Sequence, residues 1–169
     1  ALCHVGKGFS LTVDLKDFFD SVTVNHLNRA GVDLDSAQKV CIDGATRQGL
    51  SSSPAAANVA AIPLDKLVIQ NLPAGIIYTR YADDLTLSGD NLQDLIFLRN
   101  QLPKLVEEAG FRMNPKKTRI QSSKFGRRII TGIAVDGDIH PTRNQKRRLR
   151  AAKHNVSKLL KICRFLFYC

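Results

Sequence analysis

The run Ile76-Ile77-Tyr78-Thr79-Arg80-Tyr81-Ala82-Asp83-Asp84-Leu85-Thr86-Leu87-Ser88-Gly89 decides the reading of this chain. Two β-rich stretches meet at a pair of acids, which predicts a hairpin with Asp83 and Asp84 at its turn. Adjacent carboxylates repel, so ionising both costs energy unless a cation offsets it. For a lone Asp-Asp pair a solvated acidic turn is the better reading. A third acid changes this: Asp14 ends another strand-like run, Phe9-Ser10-Leu11-Thr12-Val13. Strand ends of one sheet can bring the three carboxylates together. Such a cluster binds two divalent metals, roughly 3.5–4 Å apart in phosphoryl-transfer enzymes.

The composition fits one domain of 169 residues with an ordinary 44% hydrophobic content. The net charge of +10 points to a polyanionic partner. Residues 1–100 carry eight Lys/Arg against eleven Asp/Glu, and residues 101–169 carry seventeen against four. The acidic part suits metals and the basic part phosphates. Cys3, Cys41, Cys163 and Cys169 lack metal-ligand spacing and read as free thiols. No apolar run approaches the ~20 residues of a membrane span. His4, His26, His140 and His154 share no spacing and are assigned no role. Both ends, a start without Met and an apolar finish at Phe165-Leu166-Phe167-Tyr168-Cys169, look cut from something longer.

Along the chain, a first strand is expected over about residues 8–15 and a turn or short helix over residues 16–20. Thr23 caps a helix that Gly31 closes, and Asp35 or Ser36 caps a second one through Asp43. Residues 46–54 are loop. Ser53 and Pro54 then open a helix from Ala55 to about Leu72, bent at Pro63. Its alanines, Ala55, Ala56, Ala57, Ala60 and Ala61, are expected to pack on a sheet. Asn91 or Asp90 caps a helix with apolar period Leu92, Leu95, Ile96, Leu98, Leu102, Leu105, Val106, kinked at Pro103 and ended by Gly110. Short strands follow at residues 111–113 and 118–121, then a single strand at residues 128–135. A turn at Asp136-Gly137-Asp138 leads to a long basic helix from Thr142. The pattern is α+β: an antiparallel sheet with helices on one face, followed by a basic C-terminal helix.

Four stretches together resemble a reverse transcriptase palm. Val13-Asp14-Leu15-Lys16-Asp17-Phe18-Phe19-Asp20 is similar to the motif with the first metal-binding Asp. Gln48-Gly49-Leu50-Ser51-Ser52-Ser53-Pro54 resembles the family's Gln-Gly-x-x-x-Ser-Pro loop, and Tyr81-Ala82-Asp83-Asp84 its active-site hairpin. The run from Gly110 through Asn114-Pro115-Lys116-Lys117-Thr118 looks like its Gly…Asn-x-x-Lys-Thr segment. The four occur in the family's order. Retron and group II intron-like bacterial enzymes look most similar, through Asp14-Leu15-Lys16-Asp17-Phe18-Phe19, Tyr81-Ala82-Asp83-Asp84-Leu85-Thr86 and Ile130-Thr131-Gly132-Ile133.

The resemblance implies an RNA-directed DNA polymerase adding dNTPs to a primer 3′-OH on an RNA template. It assigns residues 1–140 to the palm and residues 141–169 to the start of a thumb. Asp14, Asp83 and Asp84 would hold two Mg²⁺, with Mn²⁺ as an alternative, and Lys117 would serve the leaving pyrophosphate. Phe19 would select against a 2′-hydroxyl, with Phe18 in the core. Gln48 and Gly49 would line the nucleotide site, Tyr81 would lie near the primer end, and residues 130–135 would grip the primer strand. The basic helix, with Arg143, Lys146, Arg147, Arg148, Arg150, Lys153, Lys158, Lys161 and Arg164, would follow a duplex backbone. Leu149, Val156, Leu159, Leu160 and Cys163 form its apolar side.

Only thirteen residues precede Asp14, so the family's fingers are largely missing, and poor polymerisation by this piece alone is expected. Further implied partners are an RNA–DNA hybrid, a structured noncoding RNA, and the remaining fingers and thumb. The implied setting is a bacterial cytoplasm, with a role in phage defence. Two other readings stand: a non-catalytic RNA-binding palm scaffold, and a nucleotide cyclase. The Gln48-Gly49 loop and the basic helix argue against the cyclase, which needs neither.

Overall fold

A computed structural model describes the backbone of residues 1–166, with side chains to residue 154. Its central sheet is antiparallel, in the order β2-β3-β1-β4. These strands are β1 (Phe9–Asp14), β2 (Ile77–Tyr81), β3 (Asp84–Gly89) and β4 (Arg119–Ser122). Side chains alternate across each strand. Leu11, Val13, Leu85 and Leu87 are fully buried, and helix α6 (Leu92–Glu108) packs on β1 and β3. The alternate residues Ser10, Thr12, Asp14, Asp84, Thr86 and Ser88 then share the opposite face, paired across β1 and β3.

Helix α6 forms because its apolar residues recur at helical spacing, and Asn91 caps it by accepting from the Gln93 amide. Leu95, Leu98, Leu102 and Val106 are fully buried, each worth about 1.5–3 kcal/mol in burial. The helix runs unbroken through Pro103, and Ile96 and Phe97 lie on its exposed side. Helix α1 (Phe18–Ser21) follows β1, and α2 (Val24–Arg29) is capped by Thr23, with His26 closing a capping box.

Several expected boundaries move. Helix α3 spans Leu34–Lys39 and is capped by Asp33 rather than Asp35 or Ser36. The expected helix from Ala55 is two helices, α4 (Ser53–Ala60) and α5 (Ile62–Gln70), because Pro63 cannot continue the first one's hydrogen bonding. Ser53 is not a cap; its hydroxyl donates to the Arg47 carbonyl at 2.5 Å. The buried alanines Ala56, Ala57 and Ala60 sit on α4, whose main contacts are with α2 and α1 rather than the sheet. Residues 111–113 contribute only a bridge, Leu15 to Met113, and no strand.

The single strand expected at residues 128–135 is a hairpin: β5 (Arg128–Ile130) and β6 (Ile133–Val135). Thr131 and Gly132 turn it, with φ of +47° and +77°, the paired left-handed backbone of a tight hairpin. With β7 (Ile139–Pro141) it forms a second sheet, β5-β6-β7. The Gln121 side chain ties this sheet to β4 by bonding both backbone groups of Ile129, at 3.0 and 2.8 Å. Helix α7 (Arg143–Leu166) follows and touches β7. Among the described residues no helix is long and apolar enough to cross a membrane.

Candidate active site

The two central strands bring the acids together. Asp14 ends β1 and lies directly across from Asp84, the first residue of β3. The expected hairpin forms, but its turn is Ala82 and Asp83 rather than Asp83 and Asp84, and Asp84 opens the strand beside it. Ala82 has φ of +51°, strained for a residue with a Cβ. Backbone bonds fasten the motifs to one another: Leu15 N–H to Asp83 at 2.9 Å, Asn114 N–H to Asp14 at 2.8 Å, and Lys16 N–H to Arg112 at 2.8 Å.

Asp14 is only 7% exposed. Its carboxylate accepts from Lys117 Nζ at 2.9 Å and Asn114 Nδ2 at 3.3 Å. Burial raises the Asp84 carboxyl above its usual range, and the charges of Asp83 and Asp14 push it further. Lys117 and Arg119 oppose that rise, and the Lys117 ammonium is itself raised by its bond to Asp14. As they stand, no three His, Cys, Asp or Glu side chains among the described residues form a ready ion cage. The expected convergence is therefore one of position, with Asp14 turned toward Lys117 and Asn114.

Two cavities meet at Asp14 and Lys117, which line both. One, of about 310 Å³, is bounded by Phe19, Asp20, Gln48, Asp83 and Asn114. The other, of about 320 Å³, runs over the polar sheet face to Thr12, Asp84, Arg119, Thr131 and Gly132. Phe18 is buried against Phe111, ring centroids 5.5 Å apart, while half-buried Phe19 faces the first cavity. The Gln48 loop hangs from α1: the Thr46 hydroxyl donates to the Phe19 carbonyl, and the Gln48 amide to Asp20 at 3.4 Å.

Gly49 is not among the residues lining that cavity. A Cβ there would meet nothing within 4 Å, so glycine serves its φ of +97° rather than close approach. Tyr81 is 72% exposed and lines neither cavity. Arg143, Lys146, Arg147, Arg150 and Lys153 are all exposed on α7. Leu149, expected on the apolar side, is 59% exposed. The side chains of Val156, Lys158, Leu159, Leu160, Lys161, Cys163 and Arg164 lie outside the described residues.

Sequence reasoning gave no role to three residues at the site. Asn114 stands three residues before Lys117, a spacing that can bring both to one carboxylate. Arg119 shows only as a base in a strand. Arg80 sits beside the acids with nothing local to name its partners.

An antiparallel sheet with helices on one face, and acids where its central strands meet, has the architecture of a polymerase palm. A family model described as reverse transcriptase (RNA-dependent DNA polymerase) matches residues 4–150, and the chain belongs to that family. The retron Mx65 reverse transcriptase of Myxococcus xanthus is 33% identical over 92% of this chain and 42% of its own length. The retron Mx162 reverse transcriptase of the same organism is 35% identical over 94% of this chain and 41% of its own. The retron Ec86 reverse transcriptase of Escherichia coli is 31% identical over 90% and 51%. The chain thus spans about half, or less, of the length of these relatives. A solved telomerase from Candida albicans, in complex with a TWJ fragment of telomeric RNA, matches with a TM-score of 0.64 at 12% identity. That match covers 83% of this chain and 31% of the other, and it shows the fold.

Proposed function

We propose that this chain is the catalytic palm of a retron-like RNA-directed DNA polymerase, with residues 1–140 as palm and residues 141–169 as the start of a thumb. The observation that carries the reading is the meeting of Asp14, Asp83 and Asp84 where two cavities join. Their oxygen donors suit a hard divalent cation, Mg²⁺ or Mn²⁺, and such a cation would offset the burial and like charges that Lys117 and Arg119 only partly balance at Asp84. Of two such cations bound by these three residues, one would lower the pKa of the attacking hydroxyl and the other would neutralise the leaving pyrophosphate.

The chain's own residues position the rest. The first cavity takes the incoming dNTP, with Gln48 beside it and Phe19 placed to clash with a 2′-hydroxyl. Lys117 carries its charge to the junction, where the leaving phosphates emerge. The second cavity takes the primer end, walled by the turn at Thr131 and Gly132, with exposed Tyr81 at the nearby hairpin tip. The bases of α7 follow the phosphates of an RNA–DNA hybrid, read by its shape. A structured noncoding RNA as template and a bacterial cytoplasmic setting complete the proposal.

The test is primer extension on an RNA template by the complete reading frame that carries this chain. Mg²⁺-dependent extension that falls about a thousandfold or more in Asp83→Asn is expected. The lack of an assembled ion cage among the described residues favours a second reading, a non-catalytic RNA-binding scaffold. Tight hybrid binding with no extension at any Mg²⁺ or Mn²⁺ concentration would select it.

A further inference from the structure

Arg80 lies on β2, two residues before the turn that carries Asp83, with its side chain only 9% exposed. Its five N–H donors are all used. Nε and Nη2 grip Asp65 Oδ1 and Oδ2, each at 2.8 Å, and Nη1 donates to Asn58 Oδ1 at 3.0 Å. Nη2 also reaches the Asn58 carbonyl at 3.4 Å, and Nη1 the Ala82 carbonyl at 3.2 Å. Tyr78, on the same strand, donates its hydroxyl to Asp65 Oδ1 at 2.7 Å. Asn58 belongs to α4 and Asp65 to α5, on either side of the break that Pro63 makes. One guanidinium therefore ties two helices to the turn.

The bond to Ala82 sets this apart from a hairpin merely held against helices. Docking β2 needs only the Asp65 fork and the Tyr78 bond. The donor to Ala82 is spent on the one turn residue with a positive φ, a conformation that persists only where its surroundings over-determine it. Asp83 is the next residue.

We infer that Arg80 is a positioning residue: braced by Asp65 and Asn58, it fixes the turn of Ala82 and Asp83 and so sets where the Asp83 carboxylate stands. Its importance to catalysis rests on the polymerase reading; its hold on the turn does not. Lysine cannot replace it, because an ammonium is a point charge with three donors and no planar fork. The residue acts through Asp83, so it governs turnover rather than substrate affinity. A displacement of about 1 Å at a reacting group can cost about a hundredfold in rate.

The test uses the complete reading frame with Arg80→Lys, Asn58→Ala and Tyr78→Phe. Tyr78→Phe removes a bond to Asp65 and leaves every donor of Arg80 in place, so it reports loss of stability alone. Amide hydrogen exchange over residues 81–84, without metal or substrate, is expected to quicken about tenfold or more in Arg80→Lys. Asn58→Ala changes it less in the same direction, and Tyr78→Phe hardly at all. In primer extension, Arg80→Lys lowers kcat about ten- to a hundredfold, with the dNTP KM within about threefold. Tyr78→Phe keeps kcat within about threefold. Should Arg80→Lys not fold, the exposed Asn58→Ala variant carries both measurements. Unchanged exchange at residues 81–84 overturns the inference, as does an equal loss of kcat in Tyr78→Phe. A wild-type protein that extends nothing, but whose turn loosens in Arg80→Lys, overturns the polymerase reading and leaves the clamp standing.

Discussion

Asp65 accepts three hydrogen bonds, two of them from a full positive charge, whereas Asp84 faces two like charges beside an open cavity. Arg80 lies between the two acids in sequence and uses its five donors on the side of the first and on the turn. The networks serve opposite ends. Around Asp65 every partner comes from the protein, so the cost of burying charge is offset and the geometry is fixed. Around Asp84, burial and the charges of Asp83 and Asp14 outweigh the opposing Lys117 and Arg119, and the remaining balance is left to something that arrives from outside. The satisfied cluster holds the unsatisfied one in place.

That contrast is broken most severely by neutralising one acid on each side. Asp83→Asn is expected to lower primer extension by about a thousandfold or more without lowering the melting temperature. Asp65→Leu leaves the buried Arg80 charge without its counter-ion, and should cost about 3–5 kcal/mol in a urea titration. A comparable stability loss in Asp83→Asn would erase the distinction between the two networks.

A pH titration sharpens the comparison. Buried His4 bridges Ser88 Oγ at 2.6 Å and Thr79 Oγ1 at 2.7 Å on the polar face of the sheet. Burial above all, with nearby positive charge that includes Arg128, lowers its pKa to about 4. The fold prefers neutral His4, so this stability is whole above about pH 6.5 and is lost as pH falls through about 4. The loss is on the order of 2 kcal/mol, read from urea midpoints across that range, and His4→Gln should flatten it.

Smaller effects separate the remaining roles. Arg147→Gln with Arg150→Gln should weaken hybrid binding and reduce its log–log salt slope by roughly one per lost phosphate contact, measured by fluorescence anisotropy. A slope that does not move would remove α7 from the interface. Asp84→Asn should raise stability by a fraction of a kcal/mol at neutral pH, because the fold disfavours its charge. In the wild-type protein the same repulsion is relieved as pH falls into the raised range of this carboxyl, a gain opposite in sign to the His4 loss.

The sequence by itself determined the strand that ends at Asp14, the hairpin around the acids, the cap at Thr23, and the start of the basic helix. These follow from alternation, capping chemistry and turn residues, which act over a few positions. The family was legible for the same reason, since its motifs are short and ordered along the chain. Only the tertiary structure decided that residues 128–135 fold back as a hairpin, that the alanine helix packs on helices, and that Asp14 turns toward Lys117. It alone joined Arg80 to Asp65, fifteen residues away along the chain. A side chain's partner is set by nearness in space and by which donors remain free, and one-dimensional spacing records neither.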